Sequence, residues 1–291
     1  MSRLYNKAAV SRIVQSIGNC SHRYDRCQWL TLIDGPVAFR SAAIRLTCSF
    51  SSMGSVESLS PDKRAFFFFD IDNCLYAKSR NVHDYMERLI NEYFVKHLDL
   101  SAEDAERLSQ QYHKDYGLAI EGLVRHHKID AMDFNRKVDD ALPLDELLSP
   151  DPEIRQILET FDKSKVKMWL LTNAHITHGR RVVKLLEIED LFEGITYCDY
   201  SAERLVPKPH PEMYAKAERE AGATQDTAIY YVDDAYSNCQ AAYARGWANT
   251  VHLVEPGVPD PPVKACKYQI SHLRELLGLF PELLKKKEIA P

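Results

Sequence analysis

The stretch AFFFFDIDNCLY, residues 65–76, runs four consecutive phenylalanines into two aspartates separated by a single residue. Successive side chains on a strand point to opposite faces of a sheet, so an unbroken apolar run predicts a strand buried on both sides. The two like charges directly beyond it mark where that strand leaves the core. Apolar runs of the same kind recur at VKMWLL (166–171), AIYYV (228–232) and TVHLV (250–254), with the shorter GITYC (194–198) between the first two. Helical patterns such as HITHGRRVVKLLEI, PEMYAKAEREAGA and SNCQAAYARG separate them. Buried strands alternating with helices predict the α/β class, a Rossmann-like doubly wound parallel sheet with helices on both faces. Pro211 sits where a helix should start, and Gly222 and Gly246 where helices should stop. Near the end of the sequence, YQISHLRELLGLFPELLKKKEIAP reads as a last strand, a short helix and a solvated basic run.

The alternation breaks between residues 81 and 148. Met86, Leu89, Ile90, Tyr93 and Phe94 recur at helical spacing, Ser101 is placed to cap the helix of SAEDAERL, and AMDFNRKVDDAL repeats a helical pattern. These residues are expected to form a helical cap inserted into an α/β core made of residues 61–80 and 149–291. Its apolar stripes read as packing.

Residues 1–60 form a leader. Up to Ser52 it carries Arg3, Lys7, Arg12, Arg23, Arg26, Arg40 and Arg45 against only Asp25 and Asp34, and it is rich in serine. Two readings stand: an organelle transit peptide, which would send the protein to mitochondria, or an upstream extension with Met53 as the working start. Under the second, the expected location is cytoplasmic, with the nucleus also open to it. The seven cysteines are scattered and form no C-x-x-C pair, which suits a reducing compartment and argues against a zinc site or a disulfide framework.

With a formal net charge of −5 the chain has no basic footprint for a nucleic acid polymer. No apolar run approaches the roughly 18 residues of a membrane span. The expected partner is a small molecule, and the expected state a monomer or weak homodimer.

In doubly wound α/β folds the ligand crevice lies beyond the carboxyl ends of the strands. Asp70 and Asp72 follow the first strand, Thr172 and Asn173 follow VKMWLL, and Asp233 and Asp234 follow AIYYV. Lys208, in VPKPHP ahead of a helix, can supply a positive side chain to the same crevice. Carboxylates converging there would repel one another and hold their protons unless a cation neutralised them. A hard divalent ion suits oxygen ligands, and Mg²⁺ is usually bound by one or two carboxylates together with a substrate phosphate.

The ordered set Asp70-x-Asp72, Thr172-Asn173, Lys208-Pro209 and Asp233-Asp234 resembles the four motifs of the haloacid dehalogenase superfamily, with a cap inserted between the first and second. The resemblance covers about residues 64–281. FFFDIDNCLY, YGLAIEGLVRHHKID, DDALPL, WLLTNA, LFEGITYCDY and KPHPEMY are more narrowly similar to the fungal pyrimidine 5'-nucleotidases, some of which also act on pyridine mononucleotides. The resemblance implies a Mg²⁺-dependent phosphatase for nucleoside monophosphates. It makes Asp70 the nucleophile, Asp72 the general acid and base, and Thr172, Asn173 and Lys208 the phosphate binders. Mg²⁺ would be held by Asp70, the Asp72 backbone carbonyl and Asp234, with Asp233 acting through water or from behind. Cys74 stands where many members carry Thr or Val, and reads as a buried packing residue.

Within the cap, Tyr112, His113, Tyr116, Arg125, His126 and His127 are able to contact a base, and Tyr116, beside Gly117 at a helix break, is the preferred candidate. The alternatives are a phosphatase for another small ester, such as a sugar phosphate or a lysophospholipid, and an inactive scaffold that binds a phosphorylated ligand.

Overall fold

The computed structural model describes residues 62–286, so the leader and its two readings lie outside the described residues. In chain order the elements are β1 (Ala65–Phe69), α1 (Val82–Leu98), α2 (Ala102–Tyr116), α3 (Ala119–His127), α4 (Ala131–Lys137), α5 (Leu144–Leu147) and α6 (Pro152–Glu159). There follow β2 (Val166–Thr172), α7 (Ile176–Leu185), β3 (Ile195–Tyr197), α8 (Pro211–Ala221), β4 (Ile229–Asp233), α9 (Tyr236–Ala244), β5 (Asn249–Leu253), β6 (Tyr268–Ile270) and α10 (Leu276–Leu279). The strands form one six-stranded sheet in the order β3-β2-β1-β4-β5-β6, and every neighbouring pair is parallel. This is the expected α/β architecture. β4 runs one residue further than the apolar run suggests, so Asp233 is its last residue.

The sequence reversal at β1 explains where the polar residues gather. β1 lies between β2 and β4, so the chain winds outward in both directions from it and opens a crevice at its carboxyl end. The four phenylalanines hold that strand in place. Phe67 and Phe69 enter the core on one face with Phe161, Val182 and Leu276, while Phe66 and Phe68 enter the core on the other with Tyr214, Tyr231 and Trp247. All four are fully buried, and Phe68 stacks on Trp247 with ring centroids 5.0 Å apart.

Local signals fix the element ends. Ser101 accepts a hydrogen bond from the Asp104 backbone as the α2 cap, and Asp151 caps α6 ahead of Pro152. Gly222 closes α8 at φ +86°. Helices α1 to α4 build a second hydrophobic cluster around Tyr93, Phe94, Ile120, Leu123 and Phe134, joined by Cys198, Tyr200 and Leu205 from the segment after β3. Among the described residues no helix is long and apolar enough to cross a membrane.

Truncating a fully buried phenylalanine costs roughly 3–5 kcal/mol through lost transfer energy and the cavity left behind. Phe68→Ala is expected to lower the unfolding free energy by that amount in urea denaturation. A loss below about 1 kcal/mol would mean that β1 is not buried on both faces.

Candidate active site

The ends of three strands and one loop converge on a single buried ammonium. Lys208 Nζ donates to Asp70 Oδ1 at 2.6 Å, to Asp233 Oδ2 at 2.6 Å and to the Leu171 carbonyl at 2.8 Å. β1 and β4 are neighbours in register, so the residues following Phe69 and Val232 emerge side by side, and the Asp70 amide donates to the Val232 carbonyl at 3.0 Å. The loop carrying Lys208 is strapped to the end of β2 by the Asn173 side chain, which accepts from the Lys208 amide at 2.6 Å and donates to its carbonyl at 2.9 Å. Thr172 ends β2 fully buried, with its hydroxyl accepting from the Ala174 amide at 3.0 Å. The side chain of Asn173 is thus occupied in holding Lys208.

Environment separates the carboxylates. Burial works to strip the proton from Lys208, but Asp233 and Asp70 outweigh it and hold the ammonium above the ordinary lysine value. Burial pushes Asp70 well up, against the pull of Lys208 and with the repulsion of Asp233, Asp234 and Asp72 added. Asp234 is raised to about 6 by burial and by Asp233, and Lys78 opposes this from 3.1 Å.

Asp70, Asp233 and Asp234 each place a carboxylate oxygen within 4.8 Å of the others, a spacing that fits a cation. Asp233 has the fewest free lone pairs. It accepts from Lys208, the Tyr231 hydroxyl, the Ala235 amide at 2.7 Å, and the Asn238 amide at 3.2 Å to each oxygen. A carboxylate offers about four acceptor positions, so Asp70 and Asp234 are the better placed ligands. Burial first, and the neighbouring carboxylates after it, raise the proton affinity of both.

The Asp72 side chain stands apart from this cluster. Its Oδ1 accepts from the Tyr76 hydroxyl at 2.7 Å and from His178 Nε2 at 2.8 Å. Burial would raise this carboxyl, but the charge and hydrogen bond of His178 and the hydrogen bond of Tyr76 bring it below the ordinary value. Cys74 is buried, and its thiol is pushed well up by burial and by Asp70, as suits a packing residue.

The cap reaches the same loop. Gly117 ends α2 at φ +86°, and a Cβ there would lie 2.5 Å from the Lys208 carbonyl oxygen. In α3, buried Glu121 accepts from Arg125 and faces His210 Nε2 at 3.3 Å, tying the cap to the Lys208 loop. Tyr116 is the last residue of α2 before Gly117; its hydroxyl meets His126 Nε2 at 2.7 Å, and Arg125 lies over its ring. Tyr112 is buried against Gly122 and bonds His127 at 2.8 Å, which makes it part of the cap core. A cleft of about 500 Å³ elsewhere, lined by Glu218, Arg245 and Trp247, lies at the amino ends of β4 and β5, and there Arg245 and Trp247 both donate to Glu218.

Residues 66–244 match the haloacid dehalogenase-like hydrolase family. The chain belongs to that family. Phosphate metabolism protein 8 of Saccharomyces cerevisiae is 38% identical over 200 residues, covering 66% of this chain and 62% of the yeast protein. The match thus spans less than two thirds of that relative. Similar solved structures include a HAD phosphatase from Thermococcus onnurineus, 19% identical with a TM-score of 0.49 over 75% of this chain and 97% of that one. Another is an L-2-haloacid dehalogenase from Xanthobacter autotrophicus with chloropropionic acid covalently bound, 16% identical with a TM-score of 0.45 over 75% and 98%.

Several residues of this hydrolase site are not legible as motif members: Tyr76, His178, Tyr231, Asn238 and Asp139. Tyr231 had a signal, since residues two apart on a strand share a face and Asp233 follows it on β4. Asp139, between α4 and α5, is 3% exposed, and burial lifts its carboxyl to about 7, with His178 opposing. The unfolded chain releases this proton near pH 4 and the native state keeps it to about 7, so ionisation of Asp139 erodes stability as pH rises through that window. Thermal unfolding of Asp139→Asn should show a shallower decline than wild type between those values, Asp70 and Asp234 supplying the remainder. Superimposable profiles would show that Asp139 is not buried as its carboxylic acid.

Proposed function

We propose that the chain is a Mg²⁺-dependent phosphomonoester hydrolase acting on nucleoside 5'-monophosphates, pyrimidine and also pyridine, through an aspartyl-phosphate intermediate. The observation that carries this reading is the buried Asp70–Lys208–Asp233 contact with Asp234 beside it and Asp72 apart. One oxygen of Asp70 is tied to Lys208, and Oδ2 has no hydrogen-bond donor among the described residues. That oxygen is the nucleophile. It attacks phosphorus as the ester P–O bond breaks, and the departing ribose oxygen takes a proton from Asp72. Water, losing its proton to Asp72, then attacks the aspartyl-phosphate and regenerates Asp70.

Lys208 keeps Asp70 aimed and sets its positive charge beside the phosphate, and the Asn173 amide offers a donor to the phosphate oxygens. Asp70 and Asp234 would hold Mg²⁺, which when bound supplies the positive charge that three neighbouring carboxylates and a phosphate require. Asp72 argues for an ester, because an alkoxide leaves poorly without a proton whereas a halide needs none. The yeast relative's name places that protein in phosphate metabolism. The nucleotide preference rests on the stretches that resemble pyrimidine 5'-nucleotidases, several of which lie in the cap, whose Gly117 packs on the Lys208 carbonyl.

Purified protein with Mg²⁺ should release phosphate from uridine or cytidine monophosphate, or nicotinamide mononucleotide, faster than from sugar phosphates or lysophosphatidic acid. Chelation should abolish release, and Asp70→Asn should lower kcat by more than about 10³-fold. Turnover surviving in Asp70→Asn would contradict the mechanism, and a preference for another ester would contradict the substrate.

A further inference from the structure

His178 belongs to none of the four motifs, yet it is the most deeply buried side chain in contact with Asp72. It lies on α7, its side chain is 0% exposed, and it is brought against the sheet by Gly179, whose own backbone approaches Ile71 and Ile195 so closely that a Cβ would lie 3.3 and 2.8 Å from their side chains. Its Nε2 is 2.8 Å from Asp72 Oδ1, and because Oδ1 only accepts, whether Asp72 is ionised or carries its proton on Oδ2, Nε2 carries the hydrogen. The Tyr76 hydroxyl donates to the same oxygen at 2.7 Å. Two donors therefore fill the two lone pairs of Oδ1. Oδ2 has no donor among the described residues, and the Asp72 side chain remains 27% exposed.

A second carboxyl, Asp139, lies close enough to the imidazole for each to affect the other's proton. Asp139 Oδ2 and His178 Nδ1 are both buried without a hydrogen-bond partner among the described residues, and each feels the charge of the other. The Tyr200 hydroxyl, 3.5 Å from the Asn173 carbonyl, also faces Asp139. A buried histidine set between two carboxyls and committed to one oxygen of a proton-transferring residue is an orienting group, in the way that a buried partner fixes the ring of a catalytic histidine.

We propose that His178 is a positioning residue which, together with Tyr76, occupies Oδ1 of Asp72 and confines proton exchange with the ester oxygen to Oδ2. The proton leaves Oδ2 for the ribose oxygen as the P–O bond breaks, and returns to Oδ2 from the attacking water. This rests on the hydrolase reading above.

The test compares two leaving groups, because a phenolate departs without a proton and a ribose alkoxide does not. Release of uridine from uridine monophosphate and of nitrophenol from p-nitrophenyl phosphate is followed in single turnovers with excess enzyme, which isolates the first displacement. His178→Ala should slow uridine release on the order of 10²-fold and nitrophenol release less than about 5-fold, with the half-saturating enzyme concentration changed less than about 3-fold. His178→Gln, whose side-chain amide can donate to Oδ1, should recover part of the uridine rate. Tyr76→Phe, which leaves His178 in place and guards against a His178→Ala that does not fold, should show the same selectivity with a smaller loss. Equal slowing of both leaving groups, or no slowing in variants with wild-type circular dichroism, would overturn the proposal. Asp72→Asn separates the two levels: if it too fails to discriminate between the leaving groups, the proton role of Asp72 is wrong; if it discriminates and the His178 variants do not, only the role of His178 falls.

Discussion

The Lys208 ammonium, sealed between Asp70 and Asp233, is the interaction on which the rest of the site depends. An ammonium buried this deeply is tolerable only with its charge met on more than one side, and removing one partner of such a contact costs about 3–5 kcal/mol. The parallel register of β1 and β4 delivers the two carboxylates, Asn173 fixes the Lys208 backbone from β2, and Gly117 lets the cap rest on the Lys208 carbonyl. Strand order, loop and cap are all constrained by one charge.

Four aspartates crowd this crevice, and their surroundings give them different work. Asp233 has hydrogen bonds to both oxygens and serves to hold Lys208. Asp70 shares Lys208 but keeps one oxygen free; Asp234 pairs with the half-exposed Lys78. Asp72 is turned away toward Tyr76 and His178, which keeps its proton affinity low while Asp70 and Asp234 are driven up.

The fold and the charged residues at strand ends were legible because each follows directly from chain pattern. A doubly buried strand such as Phe66–Phe69 has to be an unbroken apolar run, and the first polar residues after it fall in the crevice. The partners that specialise those residues were not legible. His178 sits within a helical pattern next to Arg180 and Arg181 and looks like a surface histidine; the packing of α7 on Ile71 and on Ile195 of β3 brings it into the interior. Asp139 reads as one of two acids ending a helix, and most of the groups it feels, His178, Asp72 and Tyr200, lie more than 30 residues away in sequence. The same holds in the cap, where the aromatic cluster divides into Tyr112, which is buried, and Tyr116, which is half-buried with its hydroxyl on His126, a distinction that spacing cannot make.

The central claim is that Asp70 becomes covalently phosphorylated, and the most direct measurement is chemical capture of that species. Protein quenched during turnover and treated with borohydride, which reduces an acyl phosphate to the alcohol, can be digested and mapped by mass spectrometry. The account predicts homoserine at position 70 in the peptide carrying FFFFDIDNCLY, and none in protein quenched without substrate. An unmodified Asp70 during steady turnover, or reduction mapped to Asp72 or Asp234 instead, would contradict it.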